Sequence, residues 1–283
     1  MKGRSGFIEE RQRAQAEALQ WAAIAIQNGL PQDAERVARD VLKADAASVE
    51  GAKLLGYALM LQDRADEAVA PLEKAARASR NPAIETQLSI ALRHVGKTDK
   101  ALIWLKRAVT RTPPFAPAFD ELGFLLRMLN RPAEAIAPLK QGVAVAPMMP
   151  EMWVQLGLVY ADVNDRAAAR GAYEQALAIN PVHPDAIKGL TSVLMHEGDH
   201  AGAAELFKRA IAAEPDEPAM RIGLGHCLLE LGQEDAGYAC LRDAVGQGAS
   251  LQKAIKASAV SAHGRFWLRP SDAAKFFKSE GAR

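Results

Sequence analysis

The stretch WVQLGLVYADVNDRAAARGAYEQALAINP, residues 153–181, determines the fold of this chain. Its first half carries apolar or small residues at the i, i+3, i+4, i+7 spacing of one buried helical stripe: Trp153, Leu156, Gly157 and Tyr160. Its second half continues the helical spacing with Ala169, Tyr173 and Ala176. Asn164 lies between the halves, and Pro181 closes the second because proline cannot donate a helical hydrogen bond. The stretch therefore predicts two helices joined by a tight turn.

The same pattern recurs along the chain with a period of 34 residues. Prolines mark the ends of four repeats: Pro113, Pro147, Pro181 and Pro215. Leucines mark the first helix of six repeats: Leu55, Leu88, Leu122, Leu156, Leu190 and Leu224. The turn position holds only glycine, asparagine or aspartate: Gly29, Asp63, Gly96, Asn130, Asn164, Gly198 and Gly232. Because these three residue types tolerate a left-handed backbone, we predict that each of them ends a helix.

These residues resemble the tetratricopeptide-repeat (TPR) family, whose pattern runs from an aromatic residue or leucine through Leu-Gly, Tyr, Ala and an aromatic residue to Ala and Pro. The resemblance implies an all-α, right-handed α-solenoid of about seven helix-turn-helix repeats with C-terminal capping helices. We place the repeats at 15–48, 49–81, 82–115, 116–149, 150–183, 184–217 and 218–251. A polar N-terminal extension, 1–14, is expected either to fray or to continue the first helix. A capping helix and a basic aromatic tail, 252–283, follow the repeats.

Composition excludes several classes of protein. The chain has 35 basic and 34 acidic residues, so its net charge of +1 favours no nucleic-acid partner. No apolar run approaches the roughly 18 residues that span a bilayer, and we expect a cytoplasmic protein. Cys227 and Cys240 cannot form a disulfide framework and match no common zinc or thioredoxin spacing. Their favoured interpretation is as small apolar core residues, and a redox pair is the alternative.

One motif resembles a catalytic metal site. Residues 196–200 match the H-E-x-x-H pattern, which requires both histidines on one continuous helix. Gly198 occupies the predicted turn of the sixth repeat, so the helix is expected to end inside the motif and we predict no metal at His196 and His200. The sequence also shows no phosphate-binding loop and no nucleophile with an orienting partner. We therefore predict no catalytic residue, no cofactor and no enzymatic activity.

The resemblance implies that the first helix of each repeat faces a concave groove, with exposed positions four, eight and eleven residues after the repeat begins. At the eighth position four consecutive repeats carry a large apolar side chain: Tyr57, Ile90, Phe124 and Leu158. Arg93 and Arg127, at the eleventh position, flank this row, and Lys53 belongs to its floor. In the sixth repeat the eighth and eleventh positions hold Ser192 and Met195. The alternative is that these side chains only pack between neighbouring first helices.

An apolar row edged by guanidinium groups suits a peptide with hydrophobic anchors and a carboxylate. We therefore predict a non-enzymatic adaptor that binds a peptide segment in the concave groove. The alternative is an accessory or regulatory subunit of a cell-envelope or polysaccharide export complex that binds a folded partner. The sequence does not identify the protein or peptide partner, and it leaves homo-oligomerisation open.

The tail differs in character from the repeats. It carries five large apolar side chains among basic residues: Phe266, Trp267, Leu268, Phe276 and Phe277. One interpretation is that these side chains fold over the last helix pair or lie in the groove. The other is a basic aromatic patch that contacts a partner or, peripherally, an anionic membrane.

Overall fold

The structure is a computed structural model that describes residues 3–215, 217–265 and 269–278. These residues form sixteen α-helices and no strand, which confirms the predicted all-α fold. The chain divides into two compact parts, an N-terminal half (Met1–Ala146) and a C-terminal half (Pro147–Arg283). None of the described helices is both long enough and apolar enough to cross a bilayer.

The helices of the N-terminal half are α1 (Gly3–Gln27), α2 (Pro31–Ala44), α3 (Val49–Met60), α4 (Ala65–Ser79), α5 (Pro82–His94), α6 (Thr98–Ala108), α7 (Ala116–Met128) and α8 (Pro132–Val145). Those of the C-terminal half are α9 (Pro150–Asp162), α10 (Arg166–Ile179), α11 (Pro184–Glu197), α12 (His200–Ala213), α13 (Pro218–Glu230), α14 (Glu234–Gly246), α15 (Leu251–Val260) and α16 (Pro270–Lys278). Residues 3–14 of the polar extension thus belong to α1.

A left-handed residue separates the two helices of every pair from α1–α2 to α13–α14. All seven predicted turn positions have a positive φ, between 56° and 79°. In each turn the following residue donates its N–H to a carbonyl five residues earlier at 2.8–3.0 Å, as Asp165 does to Tyr160. This bond satisfies a carbonyl that the helix end would otherwise leave unpaired. The prediction that these residues end the first helices is confirmed.

Glycine lets the helices around Tyr173 approach closely. Tyr173 is 1% exposed on α10, between α9 and α11. A β-carbon on Gly157 of α9 would lie 2.6 Å from the Tyr173 ring, and one on Gly189 of α11 would lie 2.3 Å from it. Real side chains do not approach so closely, so only glycine fits at these two positions.

The last helices cover the end of the C-terminal repeats. Phe277 of α16 is 3% exposed and shares a core cluster with Tyr238, Leu241 and Ala254. The guanidinium carbon of Arg265 lies 5.5 Å from the centre of the Tyr238 ring. The part of the tail that the structure describes is therefore a cap, as the first interpretation predicts. Three other aromatic or apolar tail residues lie outside the described residues: Phe266, Trp267 and Leu268.

Candidate functional site

Six of the seven predicted site residues lie on neighbouring first helices of the N-terminal half, and three of the six have large apolar side chains. Tyr57 lies on α3, Ile90 on α5 and Phe124 on α7, and each side chain is half-buried. Helix α5 contacts both α3 and α7. We call the surface formed by these three residues with Lys53 and Arg93 the first-helix face. Large apolar side chains that keep part of their area exposed can bury it against a partner.

Arg93 already has partners inside the protein. Its Nε donates to Oε1 of Glu121 at 2.7 Å, and its guanidinium carbon lies 4.9 Å from the centre of the Phe124 ring. Burial raises the pKa of Glu121, and the pairing with Arg93 opposes that rise. Arg93 therefore joins α5 to α7, as the packing alternative predicts for this residue. Its two terminal nitrogens form no hydrogen bond with any described residue and can still receive a carboxylate.

Lys53 and Tyr57 differ in how well their polar atoms are satisfied. Lys53 Nζ lies 2.5 Å from Oε1 of Glu50, one turn earlier on α3. The Tyr57 hydroxyl forms no hydrogen bond with the described part of the chain. Burial, together with the charge of Glu50, raises the pKa of Tyr57 to about 12. The hydroxyl is therefore neutral at physiological pH and available as a donor. Arg127, the remaining predicted cation, is half-buried on α7.

The C-terminal half places Leu158 differently. It is half-buried on α9 and packs against the core cluster built by helices α9 to α13. This cluster also receives Trp153, Tyr160 and Met195 as partly buried neighbours. Leu158 thus fills space beside the core of its own half.

A cavity of about 350 Å³ opens beside α11. Its walls come from Lys188, Ser192 and Met195 of α11, with Phe207 of α12 and Met220 of α13. A second cavity of about 220 Å³ involves Arg166 and shares Ser192 with the first. Sequence reasoning did not select these residues, although Ser192 and Met195 occupy the eighth and eleventh positions. The sequence did contain a signal for the cavity. At the eighth position the large apolar residue of the preceding repeats is replaced by Ser192, whose short side chain leaves space between the helices.

The H-E-x-x-H motif is divided between two helices, as predicted. Helix α11 ends at Glu197, Gly198 has a φ of 79°, and α12 begins at His200. Nδ1 of His196 donates to the Ser192 carbonyl at 2.7 Å, whereas the His200 ring lies 6.1 Å from the ring of His226. Among the described residues no group of three or more His, Cys, Asp or Glu side chains could hold a metal ion.

Both cysteines lie in or against the core of the C-terminal half. Cys227 has no exposed area, and burial raises the pKa of its thiol to about 11. Cys240 is half-buried, and burial also raises the pKa of its thiol. At pH 8 the Cys227 thiol is therefore almost entirely protonated, whereas the thiolate is the nucleophilic form.

We therefore expect Cys227 in the native protein to react with iodoacetamide at pH 8 roughly 100-fold more slowly than in the urea-unfolded chain. Mass spectrometry of each cysteine-containing peptide over time measures both rates. Equal rates at Cys227, or a disulfide with Cys240 under mild oxidation, would support the redox-pair alternative.

Comparison with known proteins agrees with this architecture. One tetratricopeptide-repeat family model matches residues 19–82, 122–184 and 154–218, and a second matches 194–258. No curated protein matches the chain in sequence.

Solved structures show the same fold. The chain is similar to pilF of Pseudomonas aeruginosa, with a TM-score of 0.64 at 17% identity, over 73% of this chain and 94% of that one. It is similar to a tetratricopeptide repeat protein of Parabacteroides merdae, with a TM-score of 0.60 at 13% identity, over 87% and 97%. It also resembles YrrB, described as a TPR protein with an unusual peptide-binding site, with a TM-score of 0.52 at 18% identity, over 64% and 93%. At these identities the likeness shows the shared fold alone. The family models and the helix-pair geometry together establish that the chain belongs to the tetratricopeptide-repeat family.

Proposed function

We propose that this chain is a non-enzymatic adaptor that binds an extended peptide segment of a protein partner on its first-helix face. The tetratricopeptide-repeat fold supports a protein–protein interaction scaffold. YrrB, a structure of similar fold, is described as having a peptide-binding site. The peptide mode of binding and the residues that we assign to it are our inference.

The observation that carries the proposal is the unsatisfied chemistry of the first-helix face. Tyr57, Ile90 and Phe124 each keep part of an apolar side chain exposed on adjacent helices. The Tyr57 hydroxyl lacks a hydrogen-bond partner among the described residues, and so do the terminal nitrogens of Arg93. An extended peptide offers both apolar side chains and backbone carbonyls, which match these groups.

The test begins with a partner captured from the native host and mapped on a peptide array. We expect Phe124→Ala to weaken binding of the mapped peptide roughly tenfold, because truncated aromatic anchors dominate interface energies. Tyr57→Phe removes only the hydroxyl, so its effect is expected to be smaller. Fluorescence anisotropy with the labelled peptide measures both affinities.

Ile103→Ala is the matched control. Ile103 is 60% exposed on α6, a second helix, and its truncation removes an exposed apolar side chain away from the first-helix face. Its affinity should equal that of the unmodified protein. If Phe124→Ala also leaves the affinity unchanged while its circular dichroism is normal, the first-helix face is not the binding site. If the captured partner binds only as a folded domain, the accessory-subunit alternative is favoured.

A further inference from the structure

We propose that α11 carries an anchor site for an acidic peptide segment. In this site a large apolar side chain of the segment enters the 350 Å³ cavity, and a neighbouring carboxylate pairs with the cations beside it. The inference rests on the proposed peptide-binding function and adds the chemistry of the segment. It concerns the C-terminal half, so it stands on residues other than those of the first-helix face.

The depth of the cavity comes from two features of the sequence. Ser192 occupies the repeat position that Leu158 fills on α9, and its side chain is too short to close the gap. Phe207 forms part of the floor and lies so close to α13 that a β-carbon on Gly223 would be 2.3 Å from its ring. The cavity therefore reaches down to the helix-packing layer.

The floor is apolar and adaptable. Phe207 is 7% exposed and Met220 is 5% exposed, and half-buried Met195 completes the wall. Thioether side chains adjust easily to the shape of a ligand. The volume lies at the low end of the roughly 300–1,000 Å³ typical of ligand pockets. It suits one leucine, methionine or phenylalanine side chain better than a whole cofactor.

The cavity edge offers hydrogen-bonding groups that the described chain does not use. The Ser192 hydroxyl forms no hydrogen bond with a described residue. Nδ1 of His196 donates to the Ser192 carbonyl, so Nε2 remains open for a ligand. Ser192 and His196 line both cavities beside α11. A peptide that crosses α11 at these residues can use both sides of the helix.

The charged side chains that line the two cavities are basic. Lys188 lines the larger cavity, and its only ion pair with a described residue is a 4.0 Å contact with Asp185. Arg166 lines the smaller cavity and has no hydrogen bond or ion pair with a described residue. The described lining of the two cavities contains no carboxylate. Such a surface is complementary to a segment rich in aspartate and glutamate.

The acidic residues nearby are already engaged. The side chain of Asp165 accepts the Ala168 N–H at 3.1 Å, and that of Asp199 accepts the Gly202 N–H at 2.8 Å, each at a helix start. Glu197 is paired with Arg170 at 2.9 Å. None of these three carboxylates lines either cavity, so Lys188 and Arg166 are the charged groups that a segment entering the cavities meets first.

The test uses capped peptides Gly-Asp-Glu-X-Asp-Glu-Gly, with X as leucine, methionine or phenylalanine, and protein labelled with ¹³C in its methionine methyl groups. We expect at least one of these peptides to shift the Met195 and Met220 signals but not that of Met148, which is 74% exposed away from the cavity. The same peptides with X as alanine, or with lysine in place of the acidic residues, should bind roughly tenfold more weakly.

Two substitutions separate shape from charge. Ser192→Phe fills the cavity from an exposed position and should abolish the shifts without loss of fold. Lys188→Glu should weaken binding roughly tenfold. Lys208→Glu is its matched control, since Lys208 is exposed on α12 and paired with Glu205. Its affinity is expected to be unchanged.

The proposal is overturned if no peptide of the panel shifts Met195 and Met220. It is equally overturned if Ser192→Phe binds like the unmodified protein, or if Lys188→Glu and Lys208→Glu behave alike. Phe124→Ala should leave these shifts intact, because Phe124 does not line the cavity. If Phe124→Ala leaves the affinity for the captured partner unchanged while the peptides still shift the Met195 signal, the first-helix face is rejected and the α11 site is supported. If the peptides cause no shifts but binding of the captured partner depends on Phe124, the α11 site is rejected and the first-helix face is supported.

Discussion

Replacing Phe277 with alanine is expected to lower the free energy of unfolding of the C-terminal repeats by about 3 kcal/mol. The Phe277 ring is 3% exposed and lies 5.2 Å from the ring of Phe276. Helix α16 is too short to be stable alone in water, so its docking depends on this anchor. Because a terminal helix can detach instead of leaving a cavity, the expected value is at the low end of those for buried phenylalanine.

Urea unfolding followed by circular dichroism measures this loss, and amide hydrogen exchange in α14 and α15 locates it. Lys275→Ala is the control, since Lys275 is exposed on the same helix. It should change stability by less than about 0.5 kcal/mol. Unchanged stability of Phe277→Ala would show that α16 is not a structural cap and would revive the interpretation of the tail as a recruiting patch.

Replacing Gly189 with alanine is expected to destabilise the protein by about 1–3 kcal/mol, although alanine is the better helix former. The added β-carbon would lie 2.3 Å from the Tyr173 ring. The ring has little room to move, because α9 also packs closely against it and a β-carbon at Gly157 would be only 2.6 Å from Cε1 of the same ring. Helices α10 and α11 must therefore separate, with a loss of contacts across the core of the C-terminal half.

Gly171→Ala provides the opposite expectation within the same region. Gly171 lies inside α10, and a β-carbon there would meet nothing within 4 Å. Alanine should therefore stabilise the protein by about 0.5–1 kcal/mol through helix propensity alone. Thermal and urea unfolding of the two variants side by side measure the difference. If both substitutions stabilise the protein, the inference that Tyr173 packs too closely against Gly157 and Gly189 to admit a β-carbon is wrong.

The helix pairs could be predicted because their signals are local. A glycine, asparagine or aspartate at each turn permits a left-handed backbone, and that conformation ends the helix whatever surrounds it. Gly198 shows the strength of this signal. Its place at the turn position predicted that the helix would end inside the H-E-x-x-H motif, and α11 does end at Glu197, the residue before Gly198.

The candidate site could be predicted only in part. A repeat position indicates the helix face on which Arg93 lies, but not that Glu121 one repeat later would pair with it at 2.7 Å. The distance between those two side chains depends on how α5 and α7 pack. The same applies to Tyr57, whose unsatisfied hydroxyl follows from the absence of a hydrogen-bonding neighbour among the described residues.

By itself the sequence determined the repeat, the helix ends and the residue type at each position of the first helices, because each of these depends on residues a few positions apart. Only the tertiary structure decided at which of those positions the side chain packs against a core and at which it borders a cavity. Leu158 and Ser192 occupy equivalent positions, yet the first packs against a core and the second opens a cavity floored by Phe207 and Met220. The volume left beside a side chain is set by residues of other helices, and no single repeat contains them all.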